Sequence, residues 1–121
     1  MSASEDFTDP AAQARLVARL QSAAAYPHPV QTVELLQTHI SYVLLAGDYA
    51  YKIKKALDLG FLDFRSLGSR RRFCDEELRL NRRTAPALYI DVVDIGGTID
   101  EPRVGAAGAP LEHAVRMHRF E

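Results

Sequence analysis

The chain has no tryptophan, a single cysteine and no apolar run long enough to span a bilayer. Each absence removes a class of function. With Cys74 alone, an internal disulfide and a cysteine-rich zinc site are excluded, in keeping with a reducing compartment. Without roughly 20 consecutive apolar residues no membrane helix is expected. The acidic, polar N-terminus does not read as a secretory signal, so the cytoplasm is the expected location. Charge of one sign is also missing. Against 15 Lys and Arg stand 16 Asp and Glu, so no bulk field draws the protein to nucleic acid or a membrane. Neither G-x-G-x-x-G nor G-x-x-x-x-G-K-[ST] occurs, so no nucleotide claim can rest on a glycine cradle. His28, His39, His113 and His118 lie on separate segments without metal-ligand spacing.

What is present is one domain's worth of chain. Its 121 residues, 47% of them apolar, can bury one real core but not two. The centre of the pattern is Tyr42-Val-Leu-Leu-Ala-Gly-Asp-Tyr-Ala-Tyr-Lys-Ile-Lys-Lys55. Gly47-Asp48 between two β-branched and apolar runs is a two-residue hairpin signal, because glycine tolerates the positive φ that tight turns need. On the returning strand Tyr49, Tyr51 and Ile53 point one way, and Ala50, Lys52 and Lys54 the other. A face with one alanine and two lysines is either washed by solvent or turned toward an anion; Lys54 and Lys55 read as surface charge.

Residues 1–9 read as a flexible tail. Asp9-Pro10 then starts a helix to about Ala25, with Leu16, Val17 and Leu20 on one stripe, ended by the prolines of Tyr26-Pro-His-Pro29. Val33–Thr38, Ile40–Ala46 and Tyr49–Lys55 form an antiparallel meander. In Ala56–Phe64 the apolar residues pin a connection to the core, and Asp58 and Asp63 face outward. Ser66 or Ser69 caps a second helix reaching about Thr84. With Phe73 at zero, Cys74, Leu78 and Leu80 fall near ~100°, ~140° and ~340°, and Glu77 near ~40°, in mid-stripe. Burying that carboxylate unpaired would cost several kcal/mol, about enough to require a cationic partner or a cleft. Glu76, near ~300°, lies on the rim, and the arginines from Arg70 to Arg83 mostly cover the remaining surface. Leu88–Ile95 is a fourth strand, the Gly-, Ala- and Pro-rich stretch to Pro110 a flexible loop with a weak excursion near Thr98 and Ile99, and Glu112–Phe120 a fifth strand. The expected fold is α+β: a five-stranded antiparallel sheet with a helix packed on it, plus an N-terminal helix.

Four stretches carry a family resemblance: Thr38–Lys55, Asp58–Phe64, Phe73-Cys-Asp-Glu-Glu-Leu-Arg-Leu-Asn-Arg-Arg83 and Ala114-Val-Arg-Met-His-Arg-Phe120. Together they resemble the N-terminal lobe of the protein-kinase-like fold in its aminoglycoside phosphotransferase branch, as at the start of bacterial bifunctional aminoglycoside phosphotransferase/ATP-binding proteins. The resemblance implies a kinase-like N-lobe over residues 10–121 that binds ATP. Tyr49-Ala-Tyr-Lys52 matches V-A-I-K, placing Lys52 at the α/β-phosphates and Ala50 against the adenine. Glu77 is implied as the helix partner of Lys52, with Glu76 the alternative one register away, and Met117–Phe120 leads toward a second lobe.

The departures define the rest of the expectation. A phosphate-covering loop would have to be built by Thr38, His39 and Ser41, or not at all. No H-x-D-x-x-x-x-N catalytic loop and no metal-binding Asp-Phe-Gly equivalent is present, so Mg2+ is expected only with the missing C-terminal lobe. A chain that looks truncated in this way is not expected to catalyse alone, and its acceptor is not readable. Its expected partners are a nucleotide and either that lobe or a second copy through the exposed lobe face. The alternative is a non-enzymatic α+β module whose basic helix, Arg70 to Arg83, binds RNA or an acidic partner. Asp75, Glu76 and Glu77 interrupt that run and no aromatics interleave it, so nucleic acid is not expected.

Overall fold

A computed structural model describes residues 9–60 and 62–120. The expected tail therefore lies, apart from Asp9, outside the described residues, as does Phe61. The elements run α1 (Pro10–Arg19), a 3-10 turn (Ala23–Ala25), β1 (Val33–Gln37), β2 (Ser41–Ala46), β3 (Tyr49–Lys54), α2 (Leu67–Arg82), β4 (Tyr89–Gly97), β5 (Pro102–Val104) and β6 (Glu112–His118). The strands form one antiparallel sheet in the order β1-β2-β3-β6-β4-β5. The architecture is thus α+β as expected, with six strands among the described residues rather than five.

The first helix begins as read, with the Asp9 carboxylate accepting from Ala11 N at 2.9 Å. It stops earlier than expected, at Arg19. The Tyr26 hydroxyl takes the Leu20 carbonyl at 2.7 Å, and Ser22 caps the 3-10 turn instead, so local side-chain bonds outcompete further helix. The meander forms with Val43 opposite Lys52 and Leu45 opposite Ala50. Its turn is at Gly47, with φ +63° and an ideal Cβ position only 2.5 Å from the Pro29 carbonyl oxygen, so the chain there needs glycine for both conformation and space.

The stretch expected to be a loop contains the extra strand. Gly97 (φ +83°) turns the chain, Thr98 Oγ1 accepts from Glu101 N at 3.0 Å, and Pro102–Val104 returns along Ile95–Gly97. Composition marked the turns and masked the three-residue strand between them.

Alternation splits the core between the two faces of the sheet. On one side Leu44, Ala46, Tyr51, Ile53, Ile95 and Ala114 pack with Leu16, Val17 and Leu20 of α1. On the other, Val43, Leu45, Ala50, Val115 and Met117 meet Cys74 of α2. That helix is capped by Ser66, whose hydroxyl accepts from Ser69 N at 3.1 Å. Leu80, assigned to its apolar stripe, is instead 51% exposed, at the rim of an open groove.

The largest correction is Arg70, read as surface and found fully buried. Its Nε donates to both carboxylate oxygens of Glu112 at 3.0 and 3.1 Å, and its Nη1 to the carbonyls of Phe64 and Arg65 at 2.9 and 2.8 Å. Buried Gln13 of α1 completes the cluster. Its Nε2 donates to Glu112 Oε2 and to the Lys54 carbonyl, both at 2.8 Å, and its Oε1 accepts from Ala56 N at 2.8 Å.

Two stability predictions follow from these contacts. Arg70→Met leaves Glu112 buried without its cation and is expected to cost about 3–5 kcal/mol in urea unfolding. Adding Glu112→Leu should recover part of that loss, which a double-mutant cycle would measure. Gly47→Ala should cost at least about 1–2 kcal/mol from the left-handed conformation alone; a midpoint equal to wild type would contradict the turn geometry.

Candidate functional site

The chemistry gathers where α2 crosses the lysine-bearing face of β3. Glu77, on the inward stripe of α2, is shared by two cations. Lys52 Nζ donates to Oε2 at 3.0 Å, and Lys54 Nζ pairs with Oε1. The Tyr89 hydroxyl, from β4, donates to Oε2 at 3.3 Å. The expected pairing of Lys52 with Glu77 is therefore present in the structure. Glu76 is not the partner: it turns outward to Arg79, with its Oε1 2.5 Å from Nη2.

Lys54 departs from its reading as surface charge. It is 7% exposed, because strand alternation places it on the face that α2 covers. Its ammonium lies 5.9 Å from the Phe64 ring centroid, and Glu77 supplies the opposite charge. Lys55 stays at the rim, over the Tyr42 ring. The signal for Lys54 was available, since it sits two residues from Lys52 on the same face. Tyr89 had no such signal, because its place depends on β6 inserting between β3 and β4.

Burial works against the Glu77 charge, but the hydrogen bond and charge of Lys54, followed by those of Lys52, outweigh it and hold the carboxyl below its usual range. Tyr89 moves the other way, its hydroxyl pushed up by burial and by the facing Glu77 charge. Cys74, beneath this site, is buried and pushed up to about 12, which leaves it a packing residue rather than a nucleophile.

An open groove of about 510 Å³ adjoins the ion cluster, with Lys52, Lys54, Glu77 and Tyr89 on its polar side and Ile40, Leu62, Phe64, Phe73 and Leu80 on its apolar side. Glu76 also lines the groove, but its charge is matched by Arg79, so two lysines against Glu77 leave one positive charge in excess and the polar side suits an anion. Ala50 shares the lysine face but is fully buried among Val43, Leu45, Cys74, Val115 and Met117. At the β1–β2 link the Thr38 hydroxyl accepts from Ile40 N at 3.3 Å and Ser41 N at 3.0 Å. Those amides are occupied by the turn. Ser41 is fully buried and its hydroxyl has no hydrogen-bond partner, while His39 is exposed. A phosphate would thus be met by lysine side chains rather than by a backbone cradle. Among the described residues no group of three or more His, Cys, Asp or Glu could hold a metal ion. None of their helices is long and apolar enough to cross a membrane.

The arginines of α2 are largely committed. Arg70 is buried on Glu112, Arg71 pairs with Asp75 and Asp94, Arg79 with Glu76, and Arg82 donates to the Ile90 carbonyl. Exposed Arg72 and Arg83 are left without a carboxylate partner among the described residues.

Because the folded-state pKa of Glu77 is lowered, its contribution to stability is complete above the ordinary glutamate value of about 4.3. It is lost as pH falls through the lowered value. Wild type minus Glu77→Gln, compared by urea unfolding from pH 6 downward, should therefore shrink on acidification below that value. A difference that does not change with pH would contradict the ion cluster.

Three curated proteins, one from Mycobacterium bovis and two from strains of Mycobacterium tuberculosis, each described only as an uncharacterized protein, are 38% identical to the chain over 96 residues. Those residues are 77% of this chain but 18% of each relative, so the chain spans less than a fifth of their length. No family model matches the chain. No solved structure matches it significantly.

Proposed function

We propose that the chain is the ATP-binding N-lobe of a small-molecule phosphotransferase, of the protein-kinase-like, aminoglycoside phosphotransferase type. The observation that carries this reading is the pairing of Lys52 on β3 with Glu77 on the following helix, at 3.0 Å and beside an open groove. A lysine held this way is preorganised to receive the α/β-phosphates, since its side chain is already drawn toward the groove before the anion arrives. Its side chain keeps 28% of its exposure, which leaves the ammonium accessible to a ligand. Excess positive charge in the cluster supports the same conclusion.

Under this reading the chain binds and orients but does not transfer. The base and the metal ligands would belong to a second lobe closing over the groove. Exposed Leu80, with Phe73 and Leu62 along the groove, provides apolar surface for that closure. The larger size of the mycobacterial relatives leaves room for such a lobe in a protein of this kind. Ala50 would have to be uncovered by movement of its packed neighbours before it could meet an adenine.

An acyl-phosphate derivative of ATP tests the reading directly, because it acylates a lysine whose amine lies at the phosphates. Lys52 is expected to be labelled ahead of Lys54 and Lys55, and excess Mg-ATP should suppress that labelling. Labelling spread over the exposed lysines and indifferent to ATP would overturn the proposal.

A further inference from the structure

Glu77 has two lysines, and they are not equivalent. The Lys54 side chain is 9% exposed and that of Lys52 28% exposed, and each takes a different carboxylate oxygen. Lys54 is also fixed through its backbone. Its carbonyl accepts from Gln13 Nε2, one bond from the buried Glu112–Arg70 pair, and across the ladder it faces Ser41. Lys52 pairs across the ladder with Val115, and although both lysines line the groove, it is the more exposed of the two there.

We propose that Lys54 is the standing partner of Glu77 and the positioning residue of this site, and that Lys52 is the exchangeable cation, free to leave the carboxylate for a phosphate. Were Lys52 the only partner, moving it to an anion would strand a buried carboxylate, at a cost comparable to breaking a buried ion pair. With Lys54 in place that penalty disappears. Glu77 remains paired on Oε1 and bonded to Tyr89 on Oε2, and Lys52 brings its full charge to the ligand. The groups facing the carboxylate are then Lys52 and Lys54 from β3 and Tyr89 from β4. From its own helix, Asn81 bonds the Glu77 carbonyl rather than the carboxylate. Lys54 acts through Glu77 and need not touch the nucleotide.

The inference rests on the nucleotide reading of Lys52 but can fail separately from it. In the ligand-free wild-type chain, reductive methylation followed by peptide mapping compares the two amines without any substitution. Lys54 should react roughly tenfold or more slowly than Lys52, because it must wait for local opening. Side-chain NMR of Glu77 then compares Lys52→Met with Lys54→Met. The upward shift of its titration should be larger in Lys54→Met and largely reversed in Lys54→Arg. Equal methylation rates, or a larger shift in Lys52→Met, would overturn the assignment of Lys54. Tripolyphosphate supplies the last arm. Added to wild type, it should perturb the Lys52 ammonium signal and raise the Glu77 titration only modestly, whereas in Lys54→Met it should raise that titration much further. If Lys54 holds Glu77 as described but neither tripolyphosphate nor ATP reaches Lys52, the exchange and the nucleotide reading fall while the ordering of the two lysines stands.

Discussion

The structure depends on a buried ion pair at the open end of the sheet. The β3–β6 ladder stops at Lys52 opposite Val115. Two residues beyond, backbone groups that would otherwise be orphaned are taken up by side chains: the Lys54 carbonyl and the Ala56 amide by Gln13, and the His113 amide by Glu112. Arg70 balances Glu112 and at the same time satisfies two carbonyls of the segment entering α2. Desolvating an arginine and a carboxylate costs several kcal/mol each, of the order that only excellent geometry and a complete set of hydrogen bonds can offset. This cluster has both. It also joins elements that share little apolar contact at that end, α1 on one face of the sheet and α2 on the other.

Glu77 inherits its position from that anchor. It lies seven residues after Arg70, about 20° short of two full turns and roughly 10.5 Å along the axis. Once Arg70 is locked onto Glu112, α2 has little freedom to rotate, and the same stripe that buries Arg70 presents Glu77 to β3. The site is therefore the second contact of a helix whose first contact is structural. Cys74, between them, packs against Ala50 and Val115 and completes the stripe.

Periodicity made most of this legible. The hairpin, the meander, both helix starts, the two faces of β3 and the inward Glu77 all follow from alternation, wheel angle and capping chemistry. What escaped were polar residues at buried positions. Arg70 falls near 60° on the wheel that placed Glu77 near 40°, and Gln13 precedes Leu16, Val17 and Leu20 at helical spacing, so geometry marked both as inward. Residue type argued for the surface, because an isolated arginine or glutamine is costly to bury. Their partners, Glu112 and the end of β3, are distant in sequence, and only the tertiary structure supplies them. Lys54 is the same case on a strand. Pro102–Val104 escaped for another reason: a three-residue strand is too short to show alternation.

The double occupancy of Glu77 weighs against a purely structural ion pair. Lys54, the more buried cation, is enough to compensate the carboxylate. A second lysine adds repulsion between two ammonium groups, and its own contact is half screened by solvent, where such pairs contribute about 0–1 kcal/mol. Stability alone would be served as well by an apolar residue at position 52, continuing the cluster formed by Val43 and Val115 beside it in the ladder. Under the proposed function, a partly exposed lysine beside an already satisfied carboxylate, at the edge of an open groove, would contribute little to the fold and much to an arriving anion. The excess charge left by the pairing is thus the feature that a fold-only account does not need and a phosphate-binding account does.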